Sequence, residues 1–168
     1  MMLIAHRGNL FGPKEQFEND PDYLIQAIKT GCMVEADVRG KDGWLYFGHD
    51  EMQYEMPEDY FEVYGAMTIF HAKNLEAMDI LMDLKAHWFF HDTDDYTITS
   101  YGYVWAYPGM PVTNSVRYIV VNKDAIAVPD KSDKIAGICS DYAGLFPGVS
   151  VVAQKEALCQ IQRATKAV

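Results

Sequence analysis

Residues 3–38 read LIAHRGNLFGPKEQFENDPDYLIQAIKTGCMVEADV. Two short apolar runs, Leu3–His6 and Met33–Val38, each end in polar or charged residues, as buried parallel strands do where their carboxyl ends open into a pocket. Between them, Pro21–Thr30 places Tyr23, Leu24, Ala27 and Ile28 in an apolar stripe at helical spacing, and Gly31 supplies a stop. The stretch therefore predicts strand, helix, strand.

The strand pattern recurs outward along the chain. Leu45–Gly48, Thr68–Lys73, Trp88–His91, Tyr103–Ala106, Tyr118–Val121 and Ile135–Cys139 are further apolar runs with polar ends. Asn74–His87 carries Leu75, Met78, Leu81, Met82 and Leu84 at helical spacing with Asn74 placed to cap it, and Ser150–Lys166 predicts a third helix. Asp42-Gly43 signals a tight turn between two apolar runs and predicts a hairpin or bulged excursion. The connections Asp92–Gly102, Pro108–Arg117 and Asn122–Lys134 are too short, or too rich in Pro and Gly, for full crossover helices. A standard eight-fold β/α barrel takes about 250 residues and rarely fewer than about 200. The expected fold is therefore α/β: a compact, truncated or degenerate TIM-like β/α barrel in which loops replace several crossover helices, formed by one domain over residues 1–168.

Hydrophobic residues at 49% and charged residues at 23% are near the averages of globular domains and exclude disorder and low-complexity structure. Fourteen Lys plus Arg against twenty-four Asp plus Glu leave a net charge of −10, which repels nucleic acid and anionic membranes. An anionic substrate would then need a local cation, either a metal ion or a focused Arg and Lys pair. The three cysteines, Cys32, Cys139 and Cys159, suit free thiols in a reducing compartment. With no leader and no stretch able to span a bilayer in view, the expected location is cytoplasmic.

Chemistry gathers at the ends of the predicted strands. The first ends in His6-Arg7-Gly8, where an imidazole and a guanidinium leave together and Gly8 lets the backbone turn or approach a ligand, as a phosphate pocket requires. The second carries Glu35-x-Asp37, and strand alternation sets both carboxylates on one face. Flanking Met33, Val34, Ala36 and Val38 argue for burial on both sides, where unpaired carboxylates are costly and a divalent cation with oxygen ligands relieves their repulsion. His49 follows the third run, and two imidazoles flanking a phosphodiester can serve as base and acid near neutrality.

In order and approximate spacing, Ile4-Ala5-His6-Arg7-Gly8, Glu18-Asn19-x-Pro21, Glu35-Ala36-Asp37-Val38, Lys41-Asp42-Gly43 and His49-Asp50 resemble the glycerophosphodiester phosphodiesterase signature over about the first third of the chain. The resemblance implies the barrel also used by phosphatidylinositol-specific phospholipase C. It implies His6 and His49 as the acid and base pair, Arg7 on the phosphate, Glu35 and Asp37 on the metal, and Glu18 supporting the site by hydrogen bonding. Where the family carries a third acidic ligand two residues before a lysine, this chain has Phe70-His71-Ala72-Lys73, so Lys73 is kept on the phosphate and the ligand is an imidazole. Imidazole is poorly matched to Ca²⁺, so Mg²⁺ or Mn²⁺ is favoured, or else His71 contacts the substrate. Trp105 stands where the family has an aromatic strand residue, and Gly137–Tyr142 resembles its last-strand motif ending in Asp141.

Outside that pattern, His91 and the carboxylates of Asp92–Asp95 could complete a metal shell, gate the pocket or form a solvated turn. His87 reads as a helix-terminus charge or a surface residue, and Met52–Met67 as packing or a cover loop. The function implied is metal-assisted hydrolysis of a glycerophosphodiester-like small molecule, placing the chain in lipid metabolism. The alternatives are a non-catalytic phosphoester-binding module and a phospholipase C-like lyase.

Overall fold

The computed structural model describes residues 1–113, 115–122 and 135–146. Strand β1 (Met2–His6) lies between β2 (Met33–Lys41) and β10 (Gly137–Ser140), parallel to both, with His6 opposite Glu35 and Ala5 opposite Ser140. Parallel pairing continues from β2 to β5 (Thr68–Ala72) and β6 (Trp88–Phe89) on one side. On the other it runs from β10 to β9 (Tyr118–Val121) and β8 (Val104–Ala106). Strand alternation divides the side chains. Ala5, Val34, Ala36, Val38, Phe70 and Ala72 pack outward beneath the helices, while Ile4, Ile69, Phe89, Trp105, Ile119, Val121 and Cys139 fill the concave side.

Helix α1 (Pro21–Lys29) starts where the Asp20 carboxylate accepts from the Asp22 and Tyr23 N–H groups and Pro21 occupies the first turn; it buries Tyr23, Leu24 and Ala27. Helix α2 (Tyr60–Tyr64) precedes β5 and buries Tyr60. Helix α3 (Leu75–Asp83) is capped by Asn74, whose amide also bonds both backbone groups of Gly40. A Cβ on Gly40 would lie 2.5 Å from the Ala77 nitrogen, so this close strand–helix contact admits only glycine.

The expected TIM-like barrel with alternating helices does not form. The described residues build a mixed sheet of ten strands curled into a half-barrel, with only three short α-helices, all ending by Asp83. Asp42 and Gly43, both in the left-handed region at φ 53° and 82°, send the chain straight back. Leu45–Gly48 accordingly pairs antiparallel to β2 as β3 (Trp44–Phe47), followed by β4 (Tyr54–Glu55). The Asp92–Gly102 connection, read as a loop, contains a strand, β7 (Tyr96–Ile98), that forms an antiparallel pair with β8. Residues 107–117 link β8 to β9 through Pro108, Gly109 and Pro111, a composition that cannot sustain a crossover helix. No strand ladder joins β6 to β8 among the described residues; Trp88 instead bonds Ser100 through its N–H and C=O.

The Asn74–His87 helix stops early because Lys85 turns left-handed at φ 53°. His87 is consequently neither a helix-end charge nor a surface group. It is buried, stacked on Tyr101 at 4.4 Å, with Nε2 3.0 Å from the Thr99 hydroxyl. The Ser150–Lys166 helix and Cys159 lie outside the described residues. Among those described, no helix is long and apolar enough to cross a membrane.

Candidate active site

The carboxyl ends of the parallel strands carry polar residues above the apolar interior. His6 ends β1 and His71 is next to last in β5, while Glu35, the third residue of β2, sits level with His6; the three follow Ile4, Met33 and Ile69 in the next inward position. A cavity of about 190 Å³ is lined by His6, Arg7, Glu35, His49, His71, Lys73, His91 and Trp105, with Tyr107 and Val121 among its remaining walls. Beside it a cleft of about 610 Å³ is lined by Glu15, Glu18, Asn19, Asp50, Glu51, Gln53 and Asp141 among others. His6, Arg7 and His49 line both. The structure thus brings the residues singled out in the sequence to one place, with Asp37 fully buried behind the cavity wall.

Glu35, Asp37 and His71 offer ligand atoms that all lie within 4.8 Å of one another. His71 Nδ1 is 3.1 Å from Asp37 Oδ1 and 3.5 Å from Glu35 Oε1. Ligands about 2.1 Å from one ion at right angles are about 3.0 Å apart, so the spacing fits a small divalent cation. Asp37 Oδ1 is buried and accepts no hydrogen bond, an orphaned oxygen of the kind a cation satisfies. The His71 ring is held by stacking on Phe89 at 4.5 Å and on His91 at 4.9 Å. Its Nε2 is 3.4 Å from the His91 carbonyl; donation there would leave the Nδ1 lone pair toward the carboxylates, the arrangement usual for metal-ligating histidines.

Electrostatics bind the cluster together. Burial pushes the Asp37 carboxyl upward, but His71, Arg7 and His49 outweigh it and hold the group below the ordinary range. Burial and Asp37 act the same way on Glu35, and His71 and His6 reverse them, leaving Glu35 lowered. Burial works against a charged His71, yet Asp37 and Glu35 raise its pKa overall. His91 is lowered by burial, then by His71 and Lys73.

Arg7 is set by a left-handed backbone, φ 50°, whose N–H donates to the Glu35 carbonyl at 2.9 Å. Its Nη1 donates to Glu18 at 3.0 Å and its Nε lies 2.8 Å from Asp37 Oδ2, while Nη2 makes no bond within the described residues. Burial opposes its charge, but Asp37, Glu35 and Glu18 raise its pKa further. Lys73 Nζ is 3.9 Å from Asp37 Oδ1. His6 Nδ1 meets Asp141 Oδ1 at 2.8 Å, which favours the tautomer with a free Nε2, 3.9 Å from Glu35. His49, on the loop after β3, places Nδ1 2.8 Å from the Asp50 carboxylate. Trp105 stacks on Phe89 at 4.4 Å and closes the cavity's apolar side.

Two supporting residues have no role assigned to them by the sequence, Asn9 and, although it stands in the Glu18-Asn19-x-Pro21 motif, Asn19. Asn9, fully buried, donates to Glu18 at 2.8 Å and to Asp141 at 2.7 Å, tying the Arg7 support to the His6 support. Asn19 exchanges two bonds with Asp37, donating to Oδ2 at 3.1 Å and accepting from the backbone N–H at 2.9 Å. Its signal was a residue type that tolerates the left-handed conformation it adopts, φ 64°, directly after Glu18. No protein family, curated protein or solved structure matches this chain.

Proposed function

We propose that the chain is a metal-assisted phosphodiesterase acting on a glycerophosphodiester-like small molecule, the activity implied by its resemblance to the glycerophosphodiester phosphodiesterases. One observation carries the reading: a carboxylate–carboxylate–imidazole triad, two cations and two further histidines converge on one cavity at the strand ends. Glu35, Asp37 and His71 would hold Mg²⁺ or Mn²⁺ in preference to Ca²⁺, supplying charge that stabilises the phosphate oxygens. Arg7 and Lys73 bind the phosphate, concentrating positive charge in a chain whose net charge is −10. His6, oriented by Asp141, and His49 divide the proton transfers: one takes the proton of the attacking hydroxyl and the other gives one to the leaving alcohol. By the resemblance, a hydroxyl vicinal to the phosphate attacks first, and water then opens the cyclic phosphate. The buried free thiol of Cys32 supports a cytoplasmic setting, and the charge argues against nucleic acid as a partner.

Purified protein assayed on glycerophosphodiesters and bis-p-nitrophenyl phosphate, with Mg²⁺, Mn²⁺ and Ca²⁺ in turn, tests the reading. His6→Ala or His49→Ala should lower turnover about 10²–10⁴-fold while affinity changes far less. A second reading, a phosphoester-binding protein without turnover, draws on one feature: a protonated His71 could neutralise Glu35 and Asp37 without an ion. Binding of a phosphodiester with no turnover under any metal would establish that reading and discard the first.

A further inference from the structure

His6 and His49 occupy unequal positions. His6 is at the end of a central strand with Asp141 on its ring; His49 is on a loop, its side chain 38% exposed and its ring partner Asp50 89% exposed. Acid–base catalysis from such a loop requires something to hold it, since a misplacement of about 1 Å can cost about 10² in rate. The loop is held through its backbone. The Gly48 N–H donates to the Asp37 carbonyl at 3.0 Å, and the Gln53 N–H donates to the Phe47 carbonyl at 2.9 Å. Gly48 adopts φ 145°, with room for no side chain, because a Cβ there would lie 2.0 Å from the Glu51 oxygen.

The remaining restraint is a side chain. Arg39 donates from both Nε (3.2 Å) and Nη2 (2.8 Å) to the His49 carbonyl. Strand alternation puts Arg39 on the same face of β2 as Glu35 and Asp37, two residues beyond the second carboxylate, where β2 leaves β5 and pairs with β3. In a chain with twenty-four acidic residues a half-buried arginine would ordinarily find a carboxylate. Arg39 forms no ion pair among the described residues and lines neither cavity. Both of its side-chain hydrogen bonds among the described residues go to one carbonyl oxygen.

We infer that Arg39 is a positioning residue that fixes His49 for proton transfer, locking the peptide after His49 while the Asp37 carbonyl and the Gln53 N–H lock the Phe47–Gly48 peptide, one residue before His49. This rests on the phosphodiesterase reading for its catalytic consequence, though not for the clamp itself. One strand then supplies two metal-site carboxylates and the restraint on the histidine, so the ion and the acid–base group share a rigid reference. Lysine cannot replace the arginine fully, because a single ammonium lacks the planar fork that meets the oxygen with two donors.

The test combines NMR with a double-mutant cycle. The His49 Hε1 resonance is assigned by its disappearance in His49→Ala, and the His6 resonance serves as the internal control. Arg39→Ala should shift or broaden the His49 signal and leave that of His6 in place. It should also lower kcat about 10–10²-fold with KM within about twofold. Adding Arg39→Ala to His49→Ala should slow the enzyme no further, because the residue acts through His49. Arg39→Lys, expected between Ala and wild type, carries the same cycle if Arg39→Ala does not fold. An unmoved His49 resonance, or an equal loss of kcat in the His49→Ala background, overturns the inference. Absence of turnover in the wild type would overturn the phosphodiesterase reading instead, and the NMR comparison would still decide the clamp.

Discussion

Removing the charges of Glu35 and Asp37 should abolish stabilisation by divalent metal. A ligand that binds only the folded state adds about 2.7 kcal/mol at a free concentration of about 100 times its Kd. Unfolding entropy near 60 °C is about 2.1 cal/mol/K per residue, or roughly 0.35 kcal/mol/K for 168 residues. Saturating Mg²⁺ or Mn²⁺ should then raise Tm by about 8 °C in the wild type. In Glu35→Gln with Asp37→Asn, the orphaned Asp37 Oδ1 and its neighbour no longer carry charge, and the shift should fall to near zero. Losing the Asp37 carboxylate also deprives Arg7 and Lys73 of a buried counter-charge, so Tm in EDTA changes on its own account. The quantity to compare is therefore the difference with and without metal within each protein, by scanning calorimetry. Glu35→Gln alone, which leaves the Arg7–Asp37 pair intact, provides the measurement if the double variant does not fold. A full 8 °C shift retained in either variant would refute the assignment of the ion to this triad.

Asp141→Asn removes the charge on His6 Nδ1 while keeping the shape that Asn9 packs against, and should lower kcat about 10–10²-fold, equivalent to the roughly 1.5–3 kcal/mol of a charged hydrogen bond. Wild-type kcat in that variant would remove Asp141 from the mechanism. His87 gives a pH test independent of activity, because burial lowers its pKa from 6.5 to about 4. As pH falls, the unfolded chain takes up the proton first, so stability is whole above 6.5 and declines toward 4; about 2 kcal/mol is lost by pH 5. Urea titrations at pH 7 and pH 5 should show that extra loss in the wild type and not in His87→Gln, and equal losses in both would contradict the buried neutral histidine.

The amino-acid sequence by itself determined local elements and which side chains gather at the candidate site. Alternation in Met33–Val38, the stripe of Tyr23, Leu24 and Ala27, and the Asp42-Gly43 turn are short-range signals, and each produced the element it predicts. Strand-end placement of His6 and Lys73 was readable because the end of an apolar run sets the height, and the face of Glu35 because period two sets it. Only the tertiary structure decided how the second half of the chain closes. Asp92–Gly102 has the polarity of a loop, yet Tyr96–Ile98 becomes a strand because β8 offers it an edge, a long-range partner that local sequence does not name. His87 likewise looked exposed at a helix end and became buried once Lys85 turned the chain under Tyr101. The site's supports were hidden for the same physical reason: Asn9 reaches Asp141 across 132 positions, and Arg39 finds a backbone carbonyl. Hydrogen bonds of this kind depend on where the fold places two groups, and neither residue type nor spacing along the chain encodes that distance.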